Sequence, residues 1–215
     1  MSGQDKQPPT KFGVVLFPGF QALDVFGPLD ILNNLSRITP LEFATLAATL
    51  EPVSTRADDG PAGRIGQSVV PTHTFADCPA DIEVLLVPGG LGARDDAVAA
   101  PVAAFVRRVF PKLRFLLTVC TGSAIVAQSG VLDGRRATSN KRSWEWVIAQ
   151  GPAVHWVRKA RWVVDGNIWT SSGVSAGIDL MFAFIGDQYG EETAKRLADI
   201  AEYVRNPSAS DDPFA

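Results

Sequence analysis

Three runs of continuous apolar residues stand out along the chain: FGVVLF at 12–17, EVLLV at 83–87 and RFLLTV at 114–119. They have strand length and β-branched content, and they lack the alternation of a half-exposed strand. Runs of this kind are how strands buried on both faces of a parallel sheet read. Between and after them the apolar period becomes helical. Residues 101–110 open with Pro101 at the first helical position and set Val102, Phe105, Val106 and Val109 on one face. Pro28 is likewise placed to begin a helix carrying Leu29, Leu32 and Leu35. The spacing of Ala194, Leu197, Ala198, Ala201 and Val204 predicts an amphipathic helix over 191–204. Residues 175–187 are apolar almost all round, which predicts a helix packed on a sheet face. Shorter alternating pieces at 42–47, 66–70, 154–164 and 167–170 predict further strands, the last two joined by a tight turn at Asp165-Gly166. Strand–helix alternation with right-handed crossovers predicts an α/β, three-layer sandwich around an open, mostly parallel sheet. The polar, Pro-containing stretch 1–11 reads as a flexible leader, 12–204 as one domain, and 205–215 as a tail either loose or laid over the surface.

Composition narrows the function classes. A length of 215 residues, 46% of them apolar and 20% charged, suits one well-cored domain. The net charge of −3 gives no global basic field for nucleic acid or an anionic membrane. The leader lacks the apolar core of a signal peptide, and no apolar run approaches the roughly 18 residues of a membrane span. A cytoplasmic protein without a membrane partner is expected. The chain holds only two Cys and two His, without C-x-x-C or H-x-x-x-H spacing, so neither a disulfide scaffold nor a metal site is expected. Any covalent chemistry must rest on very few side chains.

Ligands of open α/β sheets bind outside the carboxyl ends of the strands. Three loops leave those ends. The last of the three apolar runs leads directly into Cys120, and Thr121–Ser129 reads as a small-residue helix closed by Gly130. A nucleophile on a tight strand-to-helix turn is the arrangement of a nucleophile elbow, here with Cys, and Gly122 would let the helix start close to the sheet. The amino end of that helix is expected to lower the thiol pKa; the bland alternative is an inert core cysteine. The second loop, Pro88-Gly89-Gly90-Leu91-Gly92, offers backbone donors for an oxyanion or anion nest, or is a plain turn. In the first loop Asp24 is either a helix cap or an acid/base reaching Cys120, in which case carboxyl and thiol share one proton. Cys78, His73 and His155 sit in contexts that favour structural roles. The five Trp, all between positions 144 and 169, read as secondary core or an oligomer face, and the clusters at 135–136, 141–142 and 158–161 as solvated basic faces.

These loops, together with VCTGSAIVAQSGVLDGRRATS at 119–139 and TSSGVSAGIDL at 170–180, resemble the DJ-1/PfpI superfamily, the class I glutamine-amidotransferase-like, flavodoxin-like fold. Within it the chain looks most like the isocyanide (isonitrile) hydratases, and it is also similar to the sensor domains of some AraC-type regulators. The resemblance implies Cys120 as nucleophile, Asp24 as its carboxyl partner, Thr121 orienting Asp24 or substrate, and the Gly89-Gly90 loop with the Thr121 N–H holding developing charge. It implies hydration of a small-molecule isocyanide to a formamide, no metal or organic cofactor, and a homodimer. Many branches of the superfamily carry a histidine after Thr-Ser; here Thr138-Ser139 is followed by Asn140, which leaves no Cys-His dyad from that position. A redox or ligand sensor and a glyoxalase-like enzyme are the alternatives. A regulator of the AraC type would carry a helix-turn-helix module after the last helix; 11 residues follow Val204, and no nucleic-acid partner is expected.

Overall fold

The computed structural model describes residues 7–57 and 65–215, so the first six residues of the expected leader lie outside the described residues. In chain order the strands are β1 (Lys11–Val15), β2 (Glu42–Ala47), β3 (Val53–Ser54), β4 (Ser68–Val69), β5 (His73–Thr74), β6 (Val84–Val87), β7 (Phe115–Thr118), β8 (Arg136–Ala137), β9 (His155–Trp156), β10 (Trp162–Asp165) and β11 (Ile168–Ser171). The helices are α1 (Ala22–Leu35), α2 (Asp96–Val109), α3 (Gly122–Gln128), α4 (Trp144–Gln150), α5 (Ser175–Tyr189) and α6 (Glu191–Ile200).

Seven strands form one sheet in the order β10-β11-β7-β6-β1-β2-β5. The three apolar runs become its adjacent central strands, with Phe12 opposite Val84 and Val84 opposite Phe115. All neighbours pair in parallel except β10 with β11, the hairpin that turns at Asp165-Gly166. Every residue of β6 is buried, as continuous apolar strands between two helical layers must be. One layer packs α1, α5 and α6 together and the other α2, α3 and α4, giving the three-layer, flavodoxin-like sandwich. Leu85, Leu116 and Leu117 have no exposed surface, and truncating any of them to Ala costs about 2–5 kcal/mol.

Four local expectations differ from the structure. Pro28 and Pro101 lie inside α1 and α2, not at their starts. The first helix enters at Gln21; the second is capped by the Asp95 carboxylate, which accepts from the Ala97 N–H at 2.9 Å. Each helix forgoes one internal hydrogen bond, which burial of its apolar face outweighs. The helix expected over 191–204 stops at Ile200, because Glu202 turns left-handed at φ 48° and the Tyr203 N–H closes onto the Ala198 carbonyl at 2.9 Å. Tyr203 then stacks on Phe182, and Val204 is 92% exposed. The piece 154–164 is two separate strands, β9 and β10, in different sheets.

β1 has β2 on one side and β6 on the other, so the chain leaves it in opposite directions. A crevice opens at the carboxyl ends of such a pair. Here it is spanned by a bridge between Phe20 and Gly90.

Candidate active site

Cys120 ends the strand side of a sharp turn: β7 stops at Thr118 and α3 begins at Gly122. Its φ of 58° is left-handed, a conformation that costs a side-chain-bearing residue about 1–3 kcal/mol. Surrounding polar groups hold it there. The Cys120 N–H donates to the Ser172 carbonyl at 3.0 Å, and its carbonyl accepts from the hydroxyls of Ser139 at 2.8 Å and Ser123 at 3.2 Å. Gly122 makes the turn possible: a Cβ there would lie 2.3 Å from the Val87 carbonyl oxygen.

The thiol is almost fully buried, at 7% exposure. Three N–H donors converge on its sulfur: the backbone amides of Thr121 and Val174, and Asn140 Nδ2 at 3.2 Å. The Asn140 amide has one orientation because its Oδ1 accepts from the Ser143 N–H at 3.1 Å. Gly173 admits it, since a Cβ there would sit 2.6 Å from Nδ2. Val174, which follows β11, is itself left-handed at φ 32°.

Asp24 lies within the first turn of α1 and has no exposed surface. Its Oδ2 accepts from the Gly89 N–H at 2.9 Å, while Oδ1 is buried without a hydrogen-bond partner among the described residues. The cysteine is beside it, and each group changes the other's protonation. Burial pushes the Cys120 thiol up to about 12, helped by the Asp24 charge and opposed by the three N–H donors. Burial likewise raises Asp24 to about 7, against the Gly89 N–H and the Cys120 side chain, which lower it. The expected lowering of the thiol pKa by the helix end is overridden. α3 is only seven residues long, and desolvation of the sulfur is the larger effect. Titrating as a unit, the pair holds two protons below about 7 and one between about 7 and 12, whichever atom carries it.

The Gly-rich loop does something other than expected. The Gly89 N–H is committed to Asp24, and the Gly90 N–H donates to Thr121 Oγ1 at 3.0 Å. Neither is free to face an oxyanion; they fix the carboxyl and the hydroxyl instead. Thr121 Oγ1 bonds the Gly90 backbone, not Asp24. Of the donors around the sulfur, the Thr121 N–H is expected from the helix start, whereas Asn140 and Val174 are residues that sequence reasoning did not place there. Asn140 stood out only as a missing histidine, and Val174 only as part of a family block.

Other candidates fall outside the site. His73 is on the edge strand β5 beside Thr72, and His155 is exposed on β9. The Trp residues pack edge-on, Trp144 on Trp156 and Trp169 on Phe184. Two members of the supposed solvated basic clusters are buried: Lys141 pairs with Asp212 at 3.1 Å and Arg161 with Asp179 at 2.6 Å. Each carboxylate neutralises a cation that burial would otherwise penalise. Among the described residues there is no cluster of three or more His, Cys, Asp or Glu able to hold a metal, and no helix long and apolar enough to cross a membrane.

Residues 10–187 match the DJ-1/PfpI family. Across 92% of its length the chain is 32% identical to an isonitrile hydratase from Pseudomonas putida, covering 80% of that protein. It is 28% identical, again over 92% of its length, to the HTH-type transcriptional regulator GbdR of Pseudomonas aeruginosa, of which it spans only 52%. Among solved structures, a THiJ/PfpI family protein from Pseudomonas syringae superposes with a TM-score of 0.76 at 28% identity, over 94% of this chain and 78% of that one.

Proposed function

The chain belongs to the DJ-1/PfpI family, and on that premise we propose that Cys120 and Asp24 hydrate an isocyanide to an N-substituted formamide. The observation that carries the reading is the pairing of an elbow thiol with a buried carboxyl that has one oxygen unoccupied and shares a single proton near neutral pH. An isocyanide carbon must gain both a nucleophile and a proton, and this pair holds one of each. As ionised Asp24 draws the thiol proton, the sulfur attacks the terminal carbon of R–N≡C and the carboxyl delivers that proton to the same carbon. The product is the thioimidate R–N=CH–S–Cys120. Asp24, again ionised, takes a proton from water as the oxygen adds to the carbon, and passes that proton to the nitrogen. Collapse of the tetrahedral adduct expels the sulfur, which takes up, by way of Asp24, the proton that the adduct's hydroxyl loses, and releases R–NH–CHO. Water is the only co-reactant, and in this reading the chain's own groups carry every proton without a metal or organic cofactor.

In this reading Thr121 and Val174 amides and Asn140 carry the charge on sulfur as it develops. The Gly89 N–H keeps the carboxyl in place, and the Gly90 N–H holds the Thr121 hydroxyl. The protein acts on a small molecule as a cytoplasmic homodimer, which light scattering would check. Incubation with an aryl isocyanide should give the formamide by NMR, and turnover that survives Cys120→Ala would refute the mechanism. A second reading, a ligand sensor without turnover, draws on the similarity to GbdR; it predicts saturable isocyanide binding with no formamide. The glyoxalase-like alternative loses its base, because the residue touching the sulfur is the amide of Asn140.

A further inference from the structure

A cavity of about 380 Å3 shares a wall with the site: Asn140, whose Nδ2 meets the Cys120 sulfur at 3.2 Å, lines it together with Gly173 and Val174. Part of its wall, Asp212 and Phe214, comes from the tail 205–215, expected to be either loose or laid over the surface, and found laid over it. Asp212 is buried against Lys141, and the Ala209 carbonyl accepts from the Arg161 N–H at 2.7 Å. Lys141 Nζ also donates to Thr138 Oγ1, Ser172 Oγ and the carbonyls of Ser139 and Ala160, all within 3.1 Å. The segment is therefore clamped in place, and it sets Phe214, 73% exposed, at the cavity wall.

The charges of this wall do not cancel. Three cationic side chains line it: Lys141, Arg142 and Arg161. Lys141 is matched by Asp212 and Arg161 by Asp179. Arg142 is exposed and has no carboxylate partner among the described residues. The cavity thus offers one unmatched guanidinium, Arg142, and an aromatic ring, Phe214. A ligand carboxylate held in this cavity would meet that guanidinium, whose planar donors match a carboxylate in a two-toothed fashion.

We propose that this cavity is the subsite for the R group of the isocyanide, and that it selects an apolar body ending in a carboxylate. Arg142 pairs with the carboxylate and Phe214 covers the body. The assignment of the R group rests on the hydratase reading; the preference for a carboxylate-ended ligand does not. The test compares 4-isocyanobenzoate with its methyl ester, which has the same ring without the charge. The native protein should have the higher kcat/KM for the acid, and Arg142→Gln should lower the acid-to-ester ratio by about tenfold, the size of one charge-assisted hydrogen bond. Phe214→Ala should lower kcat/KM for both. In parallel, titration calorimetry with 4-formamidobenzoate and its methyl ester reads the subsite without turnover. Turnover of both isocyanides with a ratio indifferent to Arg142→Gln would overturn the subsite and leave the hydratase reading standing. Absence of turnover with Arg142-dependent binding of 4-formamidobenzoate would overturn the hydratase reading and leave the carboxylate preference standing. Absence of both would overturn both.

Discussion

The two cysteines occupy regions that differ in a way their pKa directions conceal. Both are free, and burial raises both thiols above the ordinary range. Cys78 is the more accessible. Its Sγ faces the Pro79 carbonyl at 3.5 Å, with Arg108 lowering its pKa and Asp77 raising it. Cys120 is the more buried, yet three N–H donors and a carboxyl surround it. Exposure and an easily lost proton would favour Cys78. What distinguishes Cys120, on the proposed mechanism, is the set of neighbours that would take its proton during reaction and stabilise the sulfur once the proton has gone. A high resting pKa is no obstacle when the base is already in place.

The sharpest way to break this contrast is to remove each thiol. Cys120→Ala should reduce formamide formation to the uncatalysed level, while Cys78→Ala retains more than half the native rate. Next comes the base. Asp24→Asn should cost about 10²–10⁴ in kcat/KM. In the native protein kcat/KM should rise with pH through about 7, as the pair loses its first proton, and this limb should vanish in the variant. The same substitution should affect stability in the opposite sense. Asp24 has a folded pKa of about 7 against an ordinary value of 3.8, so its ionisation opposes folding. The cost is absent below about 4 and complete above about 7, and urea unfolding at pH 8 should show Asp24→Asn more stable by about 2–4 kcal/mol. Asn140→Ala, which removes one donor from the sulfur, should cost about 10–100-fold in kcat/KM with the pH limb intact. The mildest effect on chemistry should come from Asp212→Asn. It leaves Lys141 buried without its carboxylate and should cost about 3 kcal/mol in stability, read as a lower thermal midpoint.

Much of the architecture is legible in the sequence because its signals are local. The apolar runs of β1, β6 and β7 declare buried strands, and a cysteine directly after the third declares an elbow. Residues 18–24 and 88–90 could be brought to it by the general rule about strand ends. The rest depends on contacts that no short window contains. Asn140 reaches the sulfur across 20 positions, and the Ser172 carbonyl meets the Cys120 amide across 52. In the sequence both are ordinary polar loop residues. Lys141 looked solvated because its partner, Asp212, lies 71 positions away in a stretch with no apolar pattern. Pro28 and Pro101 misled for the opposite reason. Their local signal is strong, and tertiary burial of the helices overrides it.

The position of β7 between β6 and β11 has a consequence for the order in which the protein takes shape. β11 is synthesised about fifty residues after β7, and it carries the loop whose carbonyl and amide meet the Cys120 turn. Until the β10–β11 hairpin docks, β7 is an open edge and nothing holds the turn in its left-handed form. A nascent or partly unfolded chain therefore presents this thiol to solvent oxidants, while the finished protein shelters it. Brief oxidative stress during synthesis would then mark Cys120 more heavily than the same exposure of mature protein, and the protein's age would be written in the oxidation state of one sulfur.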